Sequence, residues 1–279
     1  MTLFRKLKTL STIIEKCSNW PEIILMKLGL SSRPVMAARL RNGLVIEVDR
    51  NLAGIWGEVF EPAVADVYGV GASDADLFID VGTNVGSFSS LAGYTHPAAR
   101  IYAFEPEASV AAQAEHNFKR NNVTNVTLTR APVTGDGRQV QFSRHSNRGA
   151  SNIYEASEAE PETMASVTLD CVDFAGAKSL FVKLDCEGAE GEIIAWIVAH
   201  RARLPSSVKI SCEYHPWCPI PREESMRRLE EAGFQVRNAA LFGAKYLFAD
   251  SKMEADPQCP EVLSSPTTPA ASKHNTSPC

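Results

Sequence analysis

Basic residues are in the minority here: 28 lysines and arginines face 33 acidic side chains, a formal charge of −5. A general nucleic-acid binder needs a basic face to neutralise phosphates, so this balance argues against that class. No Cys-x-x-Cys pair occurs among the seven scattered cysteines (Cys17, Cys171, Cys186, Cys212, Cys218, Cys259 and Cys279). Without such a pair there is no signal for zinc or a redox motif, and reduced thiols in a cytoplasm are the expectation. The glycosylation-type triplets of "NVTNVT" at 122–127 matter only in a secreted protein, and nothing else suggests secretion. Long apolar runs are missing as well. Residues 1–30, "MTLFRKLKTLSTIIEKCSNWPEIILMKLGL", carry a charge every few positions, which excludes a signal-peptide core and a membrane span. At the other end, residues 251–279 have few large apolar groups beyond Val262 and Leu263 and many Pro, Ser and Thr, which predicts a disordered tail.

What remains is enough for a full core, since 44% of the chain is hydrophobic. Its length fits one large domain with appendages. Residues 1–35 read as an amphipathic helical segment. Leu3, Leu7, Leu10 and Ile14 recur at helical spacing beside Arg5, Lys6 and Lys8, a pattern that packs on the domain or a partner subunit and also permits peripheral membrane association. The domain proper is expected over 36–250. "MAARLRNGLVIEVDR" opens it as an antiparallel pair turning at Asn42-Gly43. From residue 77 strand-like and helix-like blocks alternate: "LFIDV", a helix near 87–94, "RIYAFEP", a helix over about 107–121, "VTLTRAP", "SLFVKLD", and a helix over about 189–203. That order implies parallel strands joined by right-handed crossovers. After "SVKISCEYHP" and a helix around 221–232, "GFQVRNAALFGAKYLFAD" offers two strands with a short connection, an antiparallel pair closing a mostly parallel sheet.

Four stretches at strand ends carry chemistry. In "FIDVGTNVGSF" an apolar strand ends on Asp80 and enters a turn of Gly82, Thr83, Asn84 and Gly86 before a helix, the way many nucleotide sites begin. Glycines there allow close backbone approach to a ligand, and Asn84 tolerates left-handed angles. Asp80 also suits a plainer role, accepting hydrogen bonds from the turn's own amides. Glu105 ends "IYAFE" a little over twenty residues after Gly82, the spacing of a carboxylate that accepts both hydroxyls of a ribose; the alternative is a solvated acid favoured by the dipole of the next helix. Asp185 and Glu187 in "FVKLDCEGAE" reach the same sheet edge, joined by Glu213, Tyr214 and His215 of "CEYHP". Such groups can activate a hydroxyl, hold a cation, or merely cap a helix. Their spacing is diagnostic of no metal, and none is expected.

Taken together, "FIDVGTNVGSFS", "YAFEPE", "LFVKLDCEGAE" and "EYHP" resemble the FkbM-type branch of the S-adenosylmethionine-dependent methyltransferases, over about residues 36–250. The resemblance implies an α/β class I methyltransferase, Rossmann-like, with a mostly parallel seven-stranded sheet and a C-terminal antiparallel hairpin. It implies S-adenosyl-L-methionine as cofactor, its methionine part lined by Asp80, Gly82, Thr83, Asn84 and Gly86, its ribose held by Glu105, and its adenine near Arg130 and Ala131. "RAP" departs from the pattern by offering no acid to the adenine amine, so backbone groups serve there. His215, Asp185 and Glu187 are the candidates to take a proton from the acceptor.

The family mostly methylates hydroxyl oxygens of small metabolites and glycans, and the acidic chain suits a neutral acceptor of that kind. A nucleotide-dependent oxidoreductase is the main alternative, although it predicts Gly-x-Gly-x-x-Gly where this chain has Gly82-x-x-x-Gly86. A non-catalytic scaffold keeping the fold is another. Neither acceptor identity nor oligomeric state is written in these motifs. One expectation follows from composition: deleting residues 256–279 leaves the melting temperature and cofactor affinity nearly unchanged, because a polar Pro-rich tail makes few core contacts. Calorimetry on the truncated chain checks it, and a large loss of stability contradicts it.

Overall fold

The structure, a computed structural model, describes residues 3–52, 56–143, 153, 161–241 and 244–251. Two helices, α1 (Leu3–Lys16) and α2 (Trp20–Lys27), precede a hairpin of β1 (Val35–Arg39) and β2 (Val45–Asp49) and a π-helical segment, Trp56–Val64. Then follow β3 (Leu77–Val81), α3 (Ser87–Thr95), β4 (Arg100–Phe104), α4 (Ala108–Arg120) and β5 (Val126–Thr129). A second short pair, β6 (Gln139–Phe142) and β7 (Glu162–Ala165), leads into β8 (Ser179–Leu184), α5 (Glu190–Ala199), β9 (Ser207–Glu213), α6 (Arg222–Glu231), β10 (Gln235–Leu241) and β11 (Ala244–Asp250). The tail expected beyond Ser251 lies outside the described residues, as does most of 144–160.

Seven strands form the main sheet in the order β10-β11-β9-β8-β3-β4-β5. β3, β4, β5, β8 and β9 run parallel, and β11 lies antiparallel between β9 and β10. The reversed pair expected from "GFQVRNAALFGAKYLFAD" is therefore present, with its second strand placed inside the first. Every residue of β3 is buried, as a central strand covered on both faces requires. Successive strands step outward from β3 in one direction through β4 and β5 and in the other from β8. Their carboxyl ends diverge at that switch, the place where open α/β sheets hold ligands.

The β1-β2 hairpin is not part of that sheet, and both of its edges are closed by asparagine amides. Asn19 donates to the Ala37 carbonyl and accepts from the Arg39 N–H, each at 2.9 Å. Across the hairpin, Asn117 accepts from Glu47 N–H at 2.9 Å and donates to its carbonyl at 2.8 Å, while Asn121 treats Val45 in the same way at 2.8 and 2.7 Å. Residues 117 and 121 lie one helical turn apart and 45 and 47 share one strand edge, so α4 supplies side-chain amides where a further strand would supply backbone. Asn117 also donates to the Val85 carbonyl, tying this docking to the glycine turn.

The N-terminal helices differ from the expected pattern. The buried face of α1 carries Thr9 and Ile13, followed by Cys17, and it joins Ile23 and Met26 of α2 against the hairpin. Leu10 and Ile14, placed on the expected packing stripe, are exposed. Hydrophobic spacing defined one face, and packing against the hairpin buries a different one. Between β5 and β8, β7 pairs antiparallel with β6. Replacing Asn117 by alanine leaves the Glu47 N–H and the Val85 carbonyl without the side chain that meets them, while Gln113 still donates to the Glu47 carbonyl at 3.0 Å, and should cost about 1–3 kcal/mol in urea denaturation; a loss under about 0.5 kcal/mol would contradict the edge-closing role.

Candidate functional site

A cavity of about 300 Å³ opens at the carboxyl ends of the parallel strands, a volume within the usual range for ligand sites. One end is made by the turns after β3 and β4. Gly82, Thr83 and Asn84 line it, and opposite them stands Glu105. The Glu105 carboxylate accepts from the N–H of Asn84 through Oε2 and from that of Glu107 through Oε1, both at 2.9 Å. Burial raises its pKa to about 7 against those two backbone donors. Asn84 has φ 51°, the left-handed angle expected of it.

The two glycines do something the sequence did not suggest. A Cβ on Gly82 would fall 1.7 Å from the Asp185 carbonyl oxygen, and one on Gly86 would meet Ala114 and Phe118 at 2.9 Å. They admit the turn after β8 and helix α4, so their smallness serves chain packing around the cavity. Gly86 and Asp80 are absent from the cavity wall, whereas Ala131 lines it. Arg130 turns outward to pair with Glu115 at 2.9 Å and does not line the cavity either.

Beneath the turn lies a buried ion cluster. The Lys183 ammonium sits 3.2 Å from Asp80 and 3.7 Å from Asp185, and it donates to the carbonyls of Val81 and Gly82. Burial pushes the Lys183 pKa down, and the charges of Asp80 and Asp185 more than reverse that. Asp80 also accepts from Ser89 at 2.6 Å. Tyr68 donates to Asp185 at 2.9 Å and holds its other face.

The far end of the cavity is acidic. Asp185, Glu187, Glu213 and His215 line it together with Glu58 and Glu61 from the π-helical segment. Glu187 takes a left-handed φ of 57°, with Gly188 after it. Glu190, fully buried at the start of α5, accepts the N–H groups of Cys186 and Gly188 at 3.1 Å and bonds His215 Nδ1 at 2.8 Å. The other ring nitrogen lies 3.5 Å from Glu187 and 3.9 Å from Asp185. Burial lowers the His215 pKa, but Glu190, Asp185 and Glu187 together raise it to about 10. These neighbours favour the charged imidazolium over the neutral ring. Burial raises the carboxylates nearby: Glu61 and Glu187 to about 7, and Glu213 to about 8, with Asp185 adding to each. Among the described residues no group of three or more His, Cys, Asp or Glu is arranged to hold a metal ion.

Sequence reasoning brought Asp185, Glu187 and His215 to one place, and they are there. It passed over Lys183, Tyr68, Glu61 and Tyr246. Lys183 alone left a trace, as a charge inside the otherwise apolar "LFVKL" of a central strand.

Residues 80–236, more than half of the chain, match the family model described as the methyltransferase FkbM domain. The chain belongs to the FkbM methyltransferase family. Its methyl donor is S-adenosylmethionine. The geometry fits that group: a buried carboxylate faces the cavity beside a tight glycine turn at the switch of the sheet. None of the curated proteins matches the chain. Among solved structures it is similar to a precorrin-6y C5,15-methyltransferase of Geobacter metallireducens GS-15, at 18% identity and a TM-score of 0.46, covering 74% of this chain and 96% of that one. It is also similar to the magnesium protoporphyrin IX methyltransferase of Synechocystis PCC 6803 with bound SAM, at 13% identity and a TM-score of 0.41, covering 67% and 76%.

The titrations have a common sign. Glu61, Glu105, Glu187 and Glu213 hold protons more tightly folded than unfolded, so the stability they contribute is complete below about 4.5 and is lost as pH rises through about 7 to 8. His215 behaves likewise from 6.5 up to about 10. The ligand-free enzyme should melt at progressively lower temperature from about pH 5 to pH 10, and Glu213→Gln should flatten the lower half of that decline. Thermal melts across the range check this, and a flat or rising profile contradicts it.

Proposed function

We propose that this methyltransferase acts on a hydroxyl oxygen of a neutral small metabolite, sugar or glycan. The observation that carries the reading is one continuous cavity with Glu105 and the glycine turn at one end and a carboxylate-rich wall with His215 at the other. In this reading the ribose hydroxyls go to Glu105, and the methionine part lies along Gly82, Thr83 and Asn84. The adenine lies toward Ala131, against backbone groups. Asp80, Gly86 and Arg130 act from behind: Asp80 through Lys183, Gly86 by admitting α4, and Arg130 by pairing with that helix.

The cofactor supplies an electrophilic methyl on a sulfonium, and the chain's own task is alignment and handling one proton. Orientation by itself is worth about 7–11 kcal/mol in well-placed reactants. Asp185 and Glu187 accept hydrogen bonds from the acceptor. His215, cationic between Glu190 and Glu187, holds those carboxylates apart and partly offsets their charge. Proton acceptance then falls to a carboxylate whose raised pKa makes it a stronger base than an exposed acid. A phosphorylated acceptor meets repulsion from the same wall, which supports a neutral one.

The catalytic domain spans 36–250 on this reading, with 1–35 as a helical appendage docked on the hairpin. No helix among the described residues is long and apolar enough to cross a membrane. Five cysteines in the described residues are free thiols, which supports work in a reducing compartment such as the cytoplasm. Replacing Glu105 by alanine should weaken S-adenosylmethionine binding at least about tenfold, since two charge-assisted hydrogen bonds are lost, while circular dichroism stays unchanged. Isothermal calorimetry measures it, and unaltered affinity would remove Glu105 from the cofactor site.

A further inference from the structure

The Tyr246 hydroxyl lies 2.9 Å from Glu61 Oε2 and 2.9 Å from Glu213 Oε2. Tyr246 and Glu213 are direct cross-strand partners on β11 and β9, and Glu61 reaches them from the π-helical segment. A phenol has one proton to donate, and an ionised carboxylate has none. Two contacts at hydrogen-bonding distance therefore need a second proton, carried by one of the two carboxyls and donated back to the phenolic oxygen. Neither Oε1 has a hydrogen-bond partner among the described residues, and both glutamates line the cavity.

We propose that Glu61, Tyr246 and Glu213 form a carboxyl–phenol–carboxyl relay that stores one proton in the resting enzyme, and that Glu213 is the group that takes the proton from the acceptor hydroxyl. This rests on the hydroxyl-methylating reading above. The surroundings favour it. Asp185 sets negative charge against both carboxyls, Glu187 and Glu58 line the same cavity, Lys183 and His215 are the cations on that wall, and Tyr68 packs edge-on to Tyr246 at 5.8 Å. Lys183 is engaged by Asp80 and Asp185, and His215 by Glu190 and Glu187, so two further bare carboxylates in contact with one phenol would have no direct ion pair among the described residues, only the more distant charge of His215 on Glu213. One shared proton removes one of those charges. Burial and the charge of Asp185 raise both glutamates above the ordinary carboxylate range, in keeping with this.

The step balances without an oxidant or metal. As the acceptor oxygen takes the methyl, its O–H bond breaks and the proton forms an O–H bond on Glu213. Both carboxyls are then neutral, and the extra proton returns to water after product leaves. The His215 imidazolium lowers the basicity of both acids, and Glu187 is the less suitable base because the ring lies 3.5 Å from it in direct contact. Glu61 and Tyr246 are positioning residues in this scheme: they set the protonation and direction of Glu213.

Infrared difference spectroscopy on the full-length, ligand-free chain tests the relay without any acceptor. Near neutral pH, Glu61→Gln and Glu213→Gln should each remove one protonated-carboxyl band, because the introduced amide supplies the missing donor and leaves the other glutamate ionised. The double variant should remove no more than either single one. Bands that add in the double variant, or no loss in the single ones, would overturn the relay. For the catalytic role, release of S-adenosylhomocysteine is followed with a panel of neutral methyl glycosides. Glu213→Gln should lower turnover at least about a hundredfold with calorimetric S-adenosylmethionine affinity unchanged. Turnover within about threefold of wild type would overturn Glu213 as base. Tyr246→Phe, which keeps the ring, should split the shared band into two separately titrating carboxyls, a change that loss of packing alone does not produce. No turnover of any glycoside by the wild type, with the relay bands present, would count against the acceptor reading and with it the role given to Glu213.

Discussion

A single buried ammonium holds the working edge of this protein together. Lys183 projects from β8 almost wholly buried, and the groups that receive it belong to β3, the turn after it, and the turn after β8: Asp80, the Val81 and Gly82 carbonyls, and Asp185. Two charges of opposite sign at zero to a few per cent exposure are costly to bury singly, and removal of one partner typically costs about 3–5 kcal/mol. The pair therefore ties the ends of two neighbouring parallel strands to one arrangement. Because those two ends form the floor of the cavity, the position of the glycine turn, of Asp185 and thence of the acidic wall all depend on it.

From that anchor the two halves of the cavity acquire opposite electrostatic characters. On the β3-β4 side the polar work is done by backbone N–H groups converging on Glu105. On the β8-β9 side it is done by side chains, with Glu190 at the centre: its carboxylate closes the turn at 185–188 and charges His215 at the same time. The left-handed Glu187 is a cost of that tight turn, and strain of this kind persists only where neighbours over-determine it. Two Glu190 acceptor bonds to backbone and one to the ring supply that restraint.

The reversed strand β11 has a consequence beyond closing the sheet. By inserting between β9 and β10 it sets Tyr246 beside Glu213, and the π-helical segment then lowers Glu61 onto the same hydroxyl. An irregular helix and an antiparallel strand, the two departures from plain strand–helix alternation, thus meet at the acceptor end of the cavity. The π-helical segment places two acids, Glu58 and Glu61, along one cavity wall.

The amino-acid order by itself determined the strand and helix sequence, the reversed final pair, the left-handed Asn84, and the convergence of Glu105, Asp185, Glu187 and His215 on one sheet edge. These follow from local rules: apolar runs for central strands, glycine and asparagine for positive φ, and the fact that every parallel strand ends on the same side. Contacts between distant segments decided the rest. Whether Leu10 or Ile13 packs inward depended on the hairpin that α1 meets, and Asn117 and Asn121 became edge-closing groups only because β2 lies against α4. The charge on His215 was set by Glu190, whose role as a turn-closing acceptor is invisible in spacing. Arg130 was drawn away from the cavity by Glu115. Tyr246 and Glu61, 185 residues apart, share a proton path through strand register and helix irregularity. Protonation and burial depend on three-dimensional neighbours, and no local pattern in the chain encodes which neighbours those are.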